Sequence, residues 1–326
     1  MKPFRPLNPF TAAALTALIF LGPGLAFAQY PARAIRIIVP SAPGATTDVV
    51  ARLVAQKLTE SLRQQVIVEN RPGAGGNLSA ELVSKAPPDG YTLLLGIPGL
   101  ATNPFLYSQL AYSPQKDFAP VTLVSSGALA LVVHPALPVT TVPQLIELAR
   151  KRPGELSFPS VGTGTTSHLS GELFKSMAKV DMLHVPYTNF GQALVDLSSG
   201  RVTFMINAVP GLIHHIQSGR LRAVAVTGAT RSPLMPALPT INESGLRGYE
   251  VVTWNGILAP AATPPEVVAR LNDEIGKALK SQELREKFRA MDFETIPGSP
   301  ETFAAWIRSE SEKWGRVIKA TGARAD

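Results

Sequence analysis

Ile35-Arg36-Ile37-Ile38-Val39-Pro40-Ser41-Ala42-Pro43-Gly44-Ala45-Thr46-Thr47-Asp48 is the stretch whose reading decides the fold. Its first five residues are short, apolar and β-branched, the pattern of a buried strand. Beyond it Val50, Leu53, Val54, Leu58 and Leu62 recur at helical spacing, which predicts a helix from Asp48 to about Arg63. In the turn between them, Gly44 permits backbone conformations that other residues resist, and Thr46 and Thr47 are placed to cap the helix. The first N–H groups of a helix lack intrahelical partners and carry partial positive charge, so the turn reads as an anion site. Each such contact contributes about 0.3–1 kcal/mol when exposed, and up to about 2 kcal/mol when partly buried. Ligand crevices of open α/β sheets lie beyond the carboxyl ends of the strands, which is where this loop falls. The plainer alternative is a capped helix with Asp48 as an acidic residue in its first turn.

The same unit repeats outward. Gln65 to Glu69 reads as a strand, a Pro/Gly loop leads to a helix near Asn77, and the turn Asp89-Gly90-Tyr91 feeds a strand from Thr92 to Leu95. Strands alternating with helices over short connections predict an α/β fold with a parallel sheet covered on both faces. The pattern restarts with a helix from Val142 to Arg150. Strands follow at Leu156 to Ser160, Met182 to Val185, Val202 to Asn207 and Leu221 to Val226. Helices at His168 to Ala178, Phe190 to Leu197 and Gly211 to Gln217 separate them. This is a second α/β lobe. A strand from Val251 to Leu258 and helices at Glu266 to Leu279, Gln282 to Ala290 and Glu301 to Lys319 close the chain. The stripe Phe303, Trp306, Ile307, Trp314, Val317 and Ile318 marks the last helix, and aromatics at that spacing read as core. If this C-terminal part packs back on the first lobe, the chain crosses between lobes near Thr122 to Val133 and again near Val251 to Ile257. Lobe 1 then comprises residues 29–125 and 255–326, and lobe 2 residues 126–254. Two crossings make a hinge, and a hinged cleft suits the trapping of a small ligand.

The N-terminus reads as a secretory signal peptide. Lys2 and Arg5 precede an apolar run from Phe10 to Leu21, Gly22-Pro23-Gly24 breaks it, and Ala26-Phe27-Ala28 is a small-x-small cleavage pattern, which places the cut after about Ala28. The run is shorter than the roughly 20 residues a membrane span needs. The mature remainder of the 326 residues is long enough for two lobes. The chain has no cysteine, which excludes disulfides and thiolate metal sites. Its formal charge of +7 is scattered without a basic run, which argues against nucleic acid and modestly favours anionic solutes.

Two further segments carry candidate chemistry. Ser160-Val161-Gly162-Thr163-Gly164-Thr165-Thr166-Ser167-His168 lies between a strand and a helix and combines two glycines with hydroxyl residues. Gly162, Thr163, Thr165, Thr166 and Ser167 thereby offer several donors to one carboxylate. No lysine follows in Walker spacing, so nucleotide binding is not indicated. Val185-Pro186-Tyr187-Thr188-Asn189-Phe190-Gly191-Gln192-Ala193 places Tyr187 at a strand end as a cleft wall, with Asp196 read as structural. Catalytic patterns are weak: there is no Gly-x-Ser-x-Gly and no His-Glu-x-x-His. A secreted hydrolase pairing His168 with a nearby hydroxyl is the enzymatic alternative, and a ligand sensor for a signalling system is a third reading.

Taken in order, these segments resemble the Bug family, the extracytoplasmic solute-binding receptors of tripartite tricarboxylate transporters. The likeness rests on Val39 to Asp48, Glu69-Asn70-Arg71-Pro72-Gly73-Ala74-Gly75-Gly76-Asn77, Asp89 to Leu93, Asp117-Phe118-Ala119-Pro120-Val121, Gly162 to His168, Val185-Pro186-Tyr187 and Trp254-Asn255-Gly256. It implies a type II periplasmic-binding fold, a periplasmic location, membrane transporter subunits as partners, a monomer, no cofactor and no catalysis. It also implies a small carboxylate, a di- or tricarboxylate or an aromatic acid, held by backbone amides and hydroxyls. Carried over, the first-lobe contacts are Ser41, Ala42, Gly44, Ala45, Thr46, Thr47 and Asp48, and the second-lobe contacts run from Thr163 to Ser167. The turn Pro98 to Thr102 and Asn207 line the cleft. Amino-acid-binding relatives imply a role for Asp48 with an ammonium group. The chain departs from the family pattern at Ser41, often aromatic there, at Ala45, often glycine, and at Asn189-Phe190-Gly191-Gln192. The expected consequences are a wider pocket at Ser41, a stiffer turn at Ala45 and an added apolar wall at Phe190.

Overall fold

The computed structural model describes residues 30–325, so the signal-peptide reading of residues 1–28 lies outside the described residues. The deciding stretch forms β1 (Ile35–Val39) and α1 (Thr46–Leu62). After these come β2 (Val66–Asn70), α2 (Asn77–Ser84), β3 (Thr92–Gly96), α3 (Gly99–Leu106) and the long β4 (Phe118–Val133). The second α/β run holds α4 (Val142–Lys151), β5 (Ser157–Ser160), α5 (Thr166–Ala178), β6 (Leu183–Pro186), α6 (Phe190–Ser198), β7 (Phe204–Ala208), α7 (Val209–Gln217) and β8 (Arg222–Val226). The chain then returns through β9 (Val252–Pro260), α8 (Pro265–Lys280), α9 (Gln282–Ala290), β10 (Glu294–Thr295) and α10 (Pro300–Thr321).

The sheet is mixed rather than parallel. β1 pairs in parallel with β2 and β3, with Ile37 opposite Val68 and Leu93. β9 is antiparallel to β3 and to β4. The physical reason lies in the two crossings: β4 runs outward and β9 returns beside it, so they hydrogen-bond in opposite directions. β4 joins two neighbourhoods. Residues Phe118 to Ala128 pair with β9, whereas Leu129 to Val133 lie between β7 and β8. β5 and β6 form a separate parallel pair.

Hydrophobic burial follows the same division. One cluster gathers Ile38, Leu94, Leu100, Leu123, Trp254 and Leu258 with Phe303 and Ile307 of α10. Another gathers Leu129, Leu131, Leu145, Phe158, Phe174 and Phe204 with Trp314, Val317 and Ile318 of the same helix. The aromatic stripe of α10 is therefore core, but its two halves belong to different cores, so α10 is not confined to the first group of strands.

In the sequence Pro98 to Thr102 reads only as a turn, whereas the structure forms α3 there. It holds Pro104 in its interior and opens with Gly99, so its intrinsic propensity is poor. Burial of Leu100, Ala101 and Leu106 compensates. Helices α1, α5 and α7 also begin two residues earlier than their apolar periodicity suggests; in α1 and α5 the first turn carries the hydroxyl residues Thr46, Thr47, Thr166 and Ser167, and in α7 it carries Val209-Pro210.

Candidate functional site

A cavity of about 450 Å³ opens where four helices begin. Thr47 enters it from the first turn of α1, Pro98 and Gly99 from the start of α3, Thr165, Thr166 and Ser167 from the start of α5, and Asn207 and Ala208 from the approach to α7. α3, α5 and α7 each follow a strand that ends at the cavity, so each directs its free N–H groups and positive dipole end toward it. Among the described residues no lysine, arginine, histidine, aspartate or glutamate lines the space. Peptide dipoles at the helix starts are what it offers an anion.

The cradle Gly162 to Ser167 is held from behind. Thr165 caps α5: its Oγ1 accepts from the His168 N–H at 3.4 Å and donates to the Gly162 carbonyl at 2.7 Å. His168 turns inward, and its Nδ1 accepts the Gly164 N–H at 3.0 Å. Its ring stacks on His184, with centroids 3.9 Å apart. His184 Nε2 lies 2.7 Å from Ser160 Oγ, which in turn bonds the Gly162 backbone. Burial pushes the His168 imidazole down to about 3, helped by neighbouring His184 and Lys175; burial and Lys175 push His184 down to about 4. Both rings are neutral braces of the turn. His168 is 4% exposed and does not line the cavity, so it does not present a base to a ligand there. Gly164 takes φ +82°, and a Cβ there would sit 2.6 Å from Leu106 Cδ1. Glycine thus lets the cradle close on α3.

The first loop is built differently from its expected capping. The N-cap of α1 is Ala45, which has no side chain to cap with, and neither Thr46 nor Thr47 takes that role. Asp48 does the work from the first turn. Its carboxylate accepts the Gly44 N–H at 2.9 Å, Arg52 Nε at 2.9 Å and Asn70 Nδ2 at 2.8 Å. Burial disfavours its charge, but Arg52, Gly44 and Asn70 together hold the carboxyl below its usual range. At 2% exposure and with three donors engaged, Asp48 braces the loop and is not free for an ammonium group. Gly44 takes the left-handed conformation at φ +81°, so Ala45 is left in ordinary extended backbone at φ −66°, and alanine imposes no strain there. Asp48→Ala leaves the Asn70 amide and the Gly44 N–H without their acceptor. A loss of about 1–3 kcal/mol in denaturant unfolding is expected.

Of the residues singled out from the sequence, Thr47, Gly162, Thr163, Thr165, Thr166, Ser167 and Asn207 are brought together around one space. Ser41, Ala42, Gly44, Ala45, Thr46 and Asp48 do not line it. The Ser41 carbonyl accepts from Asn70 Nδ2 at 2.9 Å, while its hydroxyl is buried without a partner among the described residues. Tyr187 also lies off the cavity: its hydroxyl donates to Asp196 at 2.8 Å, and Asp196 further accepts from Gln192 and Arg201. Phe190 packs over Gly211 in a third apolar cluster rather than on the cavity wall. Sequence reasoning missed Leu106, Leu129, Leu169, Thr253 and Trp314 as lining residues. The apolar spacing of the leucines and Trp314 signals core, nothing in it marks the side that stays open, and Thr253 carries no signal of its own. Among the described residues no group of three or more histidine, aspartate or glutamate side chains is placed to hold a metal.

Comparison with known proteins agrees with this arrangement. The family model of the tripartite tricarboxylate transporter family receptor matches residues 50–323. The chain belongs to that receptor family. It is 42% identical over 290 residues to the UPF0065 protein in the tcbD-tcbE intergenic region of Pseudomonas sp. strain P51, covering 89% of this chain and 86% of that one. It is 37% identical to protein BugT of Bordetella pertussis, covering 90% of this chain and 91% of BugT. Among solved structures, R. palustris Rpa4515 with adipate superposes with a TM-score of 0.80 at 39% identity, covering 90% of this chain and 99% of that one. MatC from Rhodopseudomonas palustris with bound malate gives 0.75 at 31% identity, covering 89% and 100%. The fold of this receptor is the two-lobed α/β architecture of periplasmic binding proteins, which agrees with the expectation from its alternating strands and helices.

Proposed function

We propose that this receptor captures a small carboxylate in the periplasm and delivers it, as a monomer, to the membrane subunits of a tripartite transporter. The observation that carries the reading is the convergence of four helix N-termini on a cavity lined by no charged side chain among the described residues. Such a site holds an anion without a counter-cation. A micromolar Kd requires only about 8 kcal/mol net, within reach of several charge-assisted N–H and hydroxyl contacts plus burial of the ligand body. Solved relatives holding adipate and malate support the same ligand class. The proposal includes export with cleavage after about Ala28. It also includes lobes formed by residues 29–125 with 255–326 and by residues 126–254, closing about β4 and β9, with the second half of α10 packing into the core of the second group of strands. Thr47 is the first-lobe contact, with Gly162, Thr163, Thr165, Thr166, Ser167 and Asn207 facing it.

A thermal-shift screen of the protein against mono-, di- and tricarboxylates, aromatic acids and amino acids tests the reading. A ligand at about 100 times its Kd adds roughly 2.7 kcal/mol, a shift of several degrees. Absence of a shift with every acid sinks it. Thr47→Ala is a sharper probe, because the Thr47 side chain makes no hydrogen bond within the described residues. It is expected to leave unfolding unchanged and to weaken the ligand by about 0.5–1.5 kcal/mol. Thr165→Ala is expected to do both: it loses the ligand contact and the α5 cap, the latter contributing about 1 kcal/mol to stability.

A further inference from the structure

The carboxylate reading leaves open what the rest of the ligand looks like, and the walls of the same cavity bear on that. Leu106, Leu129, Leu169 and Trp314 all line it, and all four belong to one hydrophobic cluster. The wall is therefore the open top of a packed core, continuous and apolar, rather than scattered aliphatic groups. Trp314 has a single polar atom, Nε1, and it is committed to Glu310 Oε2 at 2.9 Å, so the indole has no donor left for a ligand. Along α3 the lining passes from the free helix start at Gly99, through the buried and unpartnered Thr102 hydroxyl, to Leu106. At 1.5 Å per residue this face spans about 10 Å. One end offers the Gly99 N–H and a hydroxyl to an anion, and at the other Leu106, flanked by Asn103 and Tyr107, joins the apolar cluster.

Resting on the carboxylate-receptor reading, we propose that the cavity selects acids with a hydrocarbon body, linear or cyclic, over hydroxylated acids of the same skeleton, and that Leu106, Leu129, Leu169 and Trp314 set this preference. A hydroxyl carried against Leu106, Leu129, Leu169 or Trp314 leaves its water and finds no partner on those side chains. Apolar pockets reject an added hydroxyl only moderately, so several hydroxyls are needed for a clear readout. Two pairs that match in carbon skeleton supply them: adipate against galactarate, and cyclohexanecarboxylate against quinate.

The experiment is calorimetric titration of the purified protein with all four acids. In each pair of which a member binds, the hydrocarbon acid is expected to bind at least tenfold more tightly. A hydroxylated partner that comes within tenfold, or binds more tightly, overturns the inference while leaving the carboxylate reading intact. Binding of none of the four, together with no response in the wider acid screen, overturns the carboxylate reading and this inference with it. Response in the wider screen to hydroxylated acids alone overturns only the inference. Leu129→Thr places a hydroxyl on the wall and is expected to reduce the preference at least threefold; Leu169→Thr repeats the test from α5 if the first variant does not fold. An unchanged preference in a folded variant removes that residue from the selective wall.

Discussion

Trp314→Ala lowers the stability of this receptor by about 3–5 kcal/mol, the expected cost of truncating a buried tryptophan. The side chain is 1% exposed, packs in the cluster around Leu129 and Phe174, and anchors the second half of α10. Its removal also strands Glu310, which is 5% exposed and would keep only its pairing with Lys313. Urea unfolding reads the effect directly. A change below about 1 kcal/mol would mean that the indole is not a core member and that the division of α10 between two cores is wrong. Trp314→Phe keeps a ring in place and is expected to lose less than half as much. Because the same indole closes the ligand cavity, the alanine variant also enlarges that space, and a bulkier acid should gain affinity relative to a compact one.

The second large effect is on acid stability. His168 and His184 titrate near 3 and 4 in the folded protein, through burial and the nearby Lys175, against about 6.5 in an unfolded chain. The unfolded state therefore binds protons more readily. Their contribution to stability is complete above about pH 6.5 and is lost as pH falls toward 4. For His168 alone the loss at pH 4 is on the order of 3 kcal/mol. Carboxylates held low by partners, such as Glu69 beside Arg36 and Glu243 at the Thr240 N–H, add their losses only at lower pH. The interval between pH 6.5 and 4.5 thus reports chiefly on the imidazoles; Asp292, raised by burial, acts with the opposite sign. Unfolding measured across it should show a steep fall, and His168→Asn should flatten it while offering an amide oxygen to the Gly164 N–H. A slope that survives this substitution unchanged would place the titrating group elsewhere. Protonation of His168 at Nδ1 would set an N–H against the Gly164 N–H, but the folded ring titrates only near 3, so ligand affinity should hold across this interval while stability falls.

Much of this molecule is legible in its residues. β1, α1 and the strand–helix alternation follow from the β-branched run at Ile35 to Val39 and the helical spacing from Val50 to Leu62, because periodicity reports which face is buried. The polar cradle is legible too, since two glycines among hydroxyl residues after a strand have few other uses. The direction of β4 and β9 is not legible, because strand pairing depends on partners more than a hundred residues away. The apolar wall stays hidden for a related reason: Leu129 and Trp314 carry the signature of core, which they are, and only the assembled fold shows that one side of that core stays open. Asp48 shows the converse. Its position in the first turn suggests either a ligand contact or a cap, and only Asn70, brought in from β2, shows that it braces the loop.

The reliance on helix starts has a consequence for how such genes diversify. A peptide N–H survives every codon change except one to proline, so the backbone share of the grip outlasts side-chain changes such as Thr47→Ala. A duplicated copy is free to alter Leu129, Leu169 or Trp314 and acquire a new ligand, with the grip on its carboxylate inherited unchanged.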